Sequence, residues 1–164
     1  MKKLFLVRHA KSSWDYPGLT DFERPLSKRG HRDAPIMGKK LKEKNIIPDL
    51  IISSPATRAI TTARYFAESM DYPMENINID ERLYEAGPAD IIAVISDVDD
   101  SVHSLMLISH NPGLTEAADQ LTGKVIENIV TSAIFSIEFD TDSWKNISKK
   151  NAGTGFYEYP KKHI

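Results

Sequence analysis

Cysteine is missing from these 164 residues altogether. Its absence removes a disulfide framework, a thiolate nucleophile and any cysteine-ligated zinc site. Long apolar runs are missing too, since no stretch approaches the ~20 residues that a membrane span needs. The two N-terminal lysines precede only a short apolar run that ends in charge, so the start reads as a strand and not as a signal peptide. There is no Gly-x-x-x-x-Gly-Lys-Ser/Thr phosphate loop, no complete dinucleotide fingerprint, no His-Glu-x-x-His and no Gly-x-Ser-x-Gly elbow. Aromatics are not interleaved with basic blocks as in a nucleic-acid groove. Lys39, Lys40, Lys42 and Lys44 read instead as the polar face of a helix. These absences set an expectation: a cytoplasmic monomer of one domain over residues 1–164, without cofactor or metal and without nucleic-acid or membrane partners.

What is present is ordinary in amount and uneven in placement. Apolar residues make up 41% and charged residues 27%, enough for a sizeable core in a chain of this length. Residues 1–64 carry 14 Lys/Arg against 6 Asp/Glu, whereas residues 65–164 carry 7 against 17. Two halves that attract each other would explain this, and so would a basic mouth that draws in an anion.

Three short apolar runs set the architecture. Leu4 to Val7, Leu50 to Ile52 and the run from Ser104 to Ser109 are continuous rather than alternating, as strands buried on both faces are. Between them lie helical patterns. Ser27 caps one running to about Lys44 through Ala34, Met37 and Leu41, with Gly30 and Pro35 predicting a late start near Asp33 or a kink. A second follows Pro55 to about Ser69, a third runs from Pro88 to about Val98, and a fourth ends at Leu121. Asn76 to Ile79 reads as a short edge strand. Ala133 to Phe139 and Trp144 to Ser148 read as an antiparallel pair, and the chain from Gly153 as loosely ordered. The fold class is therefore α/β, a three-layer arrangement with a mostly parallel central sheet, an antiparallel edge and helices on both faces.

Parallel strands deliver the residues beyond their carboxyl ends to one rim, where open α/β sheets hold their ligands. Arg8 and His9 end the first run. Arg58 follows Ser53-Ser54-Pro55 by one helical turn, and His110 directly follows the third run, ahead of a helix start. An Arg-His pair alone is an ordinary surface feature; two arginines and two histidines from three strand ends are a phosphoryl-transfer set. Guanidinium forks match the equatorial oxygens of a transferring phosphoryl group. A neutral imidazole can attack in line and carry the group transiently. Fixed cations can do this without a metal.

Four segments, Leu6-Val7-Arg8-His9-Ala10, Ser54-Pro55-Ala56-Thr57-Arg58-Ala59, Leu83-Tyr84-Glu85 and Ser109-His110-Asn111-Pro112, resemble in order the motifs of the histidine phosphatase superfamily, with its phosphoglycerate-mutase-like fold. The segment from Arg24 to Gly30 and the late Thr131-Ser132-Ala133 resemble the SixA-type branch, the protein-phosphohistidine phosphatases. The resemblance implies that His9 is the nucleophile and that Arg8, Arg58 and His110 clamp the phosphoryl group. It further implies that Arg24 lines the mouth, that Asn111 and Ser132 contact substrate, and that Glu85 is the proton donor. Ala10 departs from the glycine of many relatives. The implied substrate is phosphohistidine in a partner protein. The alternatives are a small phosphoester with Glu85 as acid, or a non-catalytic module that binds phosphorylated partners.

Overall fold

The computed structural model describes residues 1–163. In chain order it contains β1 (Lys2–Arg8), α1 (Lys28–Glu43), β2 (Leu50–Ser53), α2 (Thr57–Ser69), β3 (Asn78–Ile79), α3 (Pro88–Ser96), β4 (Ser104–Ser109), α4 (Gly113–Thr122), β5 (Ile134–Phe139), β6 (Ala152–Gly153) and β7 (Tyr157–Glu158). The strands form one sheet in the order β3-β2-β4-β1-β5, with β6 and β7 side by side along the outer edge of β5. β1 to β4 run parallel, and β5 runs antiparallel to β1.

The uninterrupted apolar run of β1 has a simple cause. Leu4 and Leu6 face one layer of packing, with Leu105, Leu107 and the inner sides of α3 and α4. Phe5 and Val7 face the other, with Met106, Ile108 and the inner sides of α1 and α2. A strand buried on both faces has no position left for a polar residue. The expected three-layer α/β architecture is present, and no helix among the described residues is long and apolar enough to cross a membrane.

Four local expectations are corrected. α1 starts at Lys28, capped by the Ser27 hydroxyl on the Gly30 amide, and runs through Pro35. Gly30 does not delay the helix; a Cβ there would lie 2.2 Å from the Lys11 carbonyl oxygen, so glycine admits the chain just past the sheet rim. Of the strand expected over Asn76 to Ile79, only Asn78–Ile79 pairs, and Met74–Asn76 is a 3₁₀ turn. The strand expected over Trp144 to Ser148 is absent, and Trp144–Asn146 is a 3₁₀ turn. Its indole is fully buried and donates to the Val102 carbonyl at 2.8 Å. The buried Lys2 ammonium lies over that ring and donates to the carbonyls of Asp100 and Val102, so packing here overrides strand propensity. Finally, the segment after Gly153 is ordered through residue 162, and Ile164 lies outside the described residues. β7 pairs with Ile134 and Phe135, the Ser136 amide donates to the Phe156 carbonyl at 2.8 Å, and Gly155 admits a backbone approach that a Cβ would block at 1.9 Å.

Candidate active site

Strand register brings the rim together. Arg8 is opposite Ser109, and Ile108 is opposite both Val7 and Ser53, so β1, β2 and β4 end at one level. The His9 amide donates to Ser109 on one side, while the Ser132 amide donates to the carbonyls of Arg8 and His9 on the other. Ser132 holds a left-handed backbone at φ 64° to make that turn.

His9 is buried, and its Nδ1–H donates to the Ala10 carbonyl at 2.7 Å. That bond places the ring proton on Nδ1 and leaves Nε2 with its lone pair. Burial pushes His9 down to about 3, opposed by the Ala10 hydrogen bond and reinforced by the charges of His110, Arg58 and Arg8. Nε2 is therefore unprotonated at neutral pH. The His110 ring lies 4.9 Å from it, centroid to centroid. Burial, with Arg58 next in weight, pushes His110 down to about 4. The Ser54 hydroxyl accepts from the Ala56 amide and sits 2.7 Å from His110 Nε2. In the tautomer in which Ser54 donates that bond, His110 carries its ring proton on Nδ1.

Three cations surround the pair. Arg8 donates through Nη1 to the Ile129 carbonyl at 3.1 Å, and burial lowers its pKa from a value so high that it stays charged. Arg58 donates to the Asp21 carbonyl at 2.7 Å and to its carboxylate at 3.1 Å. Arg24 donates to the same carboxylate at 2.9 Å, with its other nitrogens on Ser12 and Ser13, and its guanidinium stacks 3.3 Å from the Trp14 ring centre. Asp21 also accepts from the Tyr84 hydroxyl at 2.7 Å. That bond, then those from Arg24 and Arg58, holds Asp21 down to about 2, so it is an anion at any working pH. Tyr84 in turn meets the edge of His110 at 5.8 Å.

Three side-chain atoms at this rim are buried without a hydrogen-bond partner among the described residues: Arg8 Nε, His110 Nδ1 and Ser132 Oγ. Buried polar groups are seldom left so, and all three belong to groups able to donate to an oxyanion. A cavity of about 180 Å³ opens beside them, lined by Arg8, His9, Lys11, Ser12, Arg24 and Arg58.

Of the residues singled out from the sequence, His9, Arg8, Arg58, His110 and Arg24 converge here, with Ser132 directly behind them. Asn111 is placed differently: its amide donates to Asn128 and Ile129 and its oxygen accepts from Thr115, so it braces the loop that receives Arg8. Glu85 is exposed, at φ 54°, next to Tyr84 and without a side-chain hydrogen bond among the described residues. Trp14 is 72% exposed and Tyr16 55%, which makes them lip rather than core. Sequence reasoning missed Asp21, Ser54 and Lys11. Asp21 had one local signal, its spacing of three from Arg24.

Comparison with known proteins adds relatives to this geometry. Residues 4–91 match the family described as histidine phosphatase superfamily (branch 1). An uncharacterized chloroplastic protein of Arabidopsis thaliana is 34% identical over 154 residues, covering 88% of this chain and 69% of that one. A structure named for the protein histidine phosphatase SixA, complexed with tungstate, superposes with a TM-score of 0.80 at 22% identity, covering 99% of both chains. An Agrobacterium tumefaciens structure assigned as a SixA phosphohistidine phosphatase gives a TM-score of 0.82 at 24% identity, covering 97% of this chain and 98% of that one.

Proposed function

The chain belongs to branch 1 of the histidine phosphatase superfamily, and from that premise we propose that it removes phosphate from phosphohistidine in a partner protein through a phosphohistidine of its own at His9. His9 Nε2 attacks phosphorus in line, and the bond to the leaving nitrogen breaks as that imidazole takes a proton from solvent water. Arg8, Arg24 and Arg58 hold the equatorial oxygens, and His110 Nδ1–H donates to one of them. The Ala10 carbonyl steadies the imidazolium that forms on His9. Water then attacks the same phosphorus, releasing phosphate and restoring neutral His9. Every charge the reaction develops meets a fixed protein group, so the cycle needs no metal.

The carrying observation is the His9 tautomer: a desolvated neutral imidazole whose Nδ1 proton is committed to Ala10 among fixed cations. The tungstate complex of the SixA structure adds support, since tungstate is a tetrahedral oxyanion like phosphate. A leaving imidazole departs more readily than an alkoxide, which makes a strong acid unnecessary and gives the exposed Glu85 a role only with ester substrates.

His9→Ala is expected to abolish turnover of a phosphohistidine protein, while wild-type activity survives EDTA. Brief incubation with radiolabelled phosphodonor should leave acid-labile label on wild type and none on the variant. Full activity in His9→Ala, or loss of activity with EDTA, would overturn the mechanism.

A further inference from the structure

The cavity that holds the catalytic groups is small, and a larger one adjoins it. This second cleft encloses about 580 Å³. Thr131 lines both, so the two lie on either side of one residue. One side of the cleft is the first turn of α1, the other the strap that follows β7.

Its chemistry differs from that of the catalytic cavity. Tyr157 and Tyr159 lie 5.1 Å apart, ring centre to ring centre, and form an aromatic floor. The Tyr157 hydroxyl is fixed by the Val130 amide and the Asn128 carbonyl, each at 3.2 Å. Around that floor stand Arg29, Arg32 and Lys161. Asp33, 1% exposed, accepts from the Nε of Arg29 and of Arg32, at 3.4 and 3.0 Å. One buried carboxylate thus anchors two guanidinium forks. Their terminal nitrogens have no protein partner among the described residues. Three cations against one anion leave the cleft positive.

We infer that this cleft binds an acidic segment, with an apolar side chain, that flanks the phosphorylated residue of a protein substrate. The inference rests on the phosphatase reading and deepens it. Charge complementarity selects an acidic occupant. Because Thr131 borders both cavities, an occupant of this cleft lies within reach of the group that reacts at His9, as the flank of one substrate molecule would. The arginine side chains are 51% and 58% exposed, so the charge lies on an open rim. A site for a small metabolite encloses most of its ligand, whereas an open rim over an aromatic floor suits an extended chain.

The test compares two synthetic peptides, each with one chemically phosphorylated histidine. One is flanked by glutamates and a leucine, the other by lysines and a leucine. p-Nitrophenyl phosphate serves as a reference without flanks. Wild type is expected to favour the acidic peptide in kcat/KM by about tenfold at low salt, a preference that salt weakens. Lys161→Glu and Arg32→Gln should each cut that ratio by about threefold or more, with turnover of p-nitrophenyl phosphate within about twofold of wild type. Lys161 takes no part in the Asp33 pairs, and Arg32→Gln leaves Arg29 on Asp33, so neither variant strands the buried carboxylate. A ratio near one in wild type, or a ratio that neither variant moves, overturns the assignment. So does competition by mellitate as strong as that by the unphosphorylated acidic peptide, which would give the cleft to a small polyanion. If wild type turns over none of the three substrates, it is the phosphatase reading that fails. Anisotropy of the labelled, unphosphorylated acidic peptide then still decides the cleft: binding weakened by Lys161→Glu upholds it, and no binding overturns it.

Discussion

At His110 the chemistry depends on which nitrogen carries the proton, and Ser54, 2.7 Å from Nε2, is placed to decide that. If it donates there while accepting from Ala56, Nδ1–H is left for a phosphoryl oxygen. Ser54→Ala removes the preference without emptying the site of charge. We expect kcat to fall about three- to tenfold with little change in KM, the size of one hydrogen bond of about 1 kcal/mol. An unchanged kcat would mean that the tautomer is set elsewhere. The arginines and histidines were legible in the sequence because each directly follows an apolar run or a turn signal. Ser54 and Asp21 were not, because their partners are 56 and 37 positions away in the chain. Ser54 has nothing local to mark it, Asp21 has only its spacing of three from Arg24, and only the fold shows that Asp21 also joins Arg58 and Tyr84.

Among the elements, α1 illustrates how composition misleads. Glycine at position 30 looks like weakness in a helix, yet the Lys11 carbonyl occupies the space of its missing Cβ. Gly30→Ala must push away the backbone that leads from His9 to Ser12 and Ser13. We expect a cost of about 2 kcal/mol or more, read as a fall in Tm of about 4–8 °C, together with loss of activity. Unchanged stability and activity would show that the loop gives way freely. Strands β1, β2 and β4 were legible because burial on both faces leaves their middles, residues 4–7, 50–52 and 105–108, wholly apolar. The 144–148 segment was not, because Trp144 buries its indole against the Lys2 ammonium instead of pairing as a strand. The residues after Gly153 are too polar and too short in pattern to announce β7, whose order comes from bonds to β5.

Across the whole molecule, the two buried imidazoles make stability fall in acid. Both are neutral when folded, with values of about 3 and 4, and ordinary when unfolded. Below about pH 6.5 the unfolded chain therefore binds protons that the folded chain refuses. Their contribution is intact above that pH and is lost progressively toward pH 4 and 3, by at most ~1.4 kcal/mol per pH unit for each group. Urea unfolding at pH 7.5, 5.5 and 4.5 should show this slope, and His9→Ala should flatten it. Equal slopes would place the protons on other groups. The charge imbalance between the two halves of the sequence also resolves at this scale. The ion pairs that join them, Lys3 to Glu138, Lys42 to Asp71 and Lys44 to Glu158 among them, lie mostly at the surface, where such pairs contribute little. The cations that matter gather at the catalytic mouth instead. That mouth opens from β1, which is flanked by β4 and β5 and sealed above and below by helices or packed side chains. His9 and the scaffold thus share this doubly packed part, while Arg32 and Lys161 sit on surface segments outside the cavity that holds His9. Evolution can retune which partner is recognised at little risk to the reaction itself.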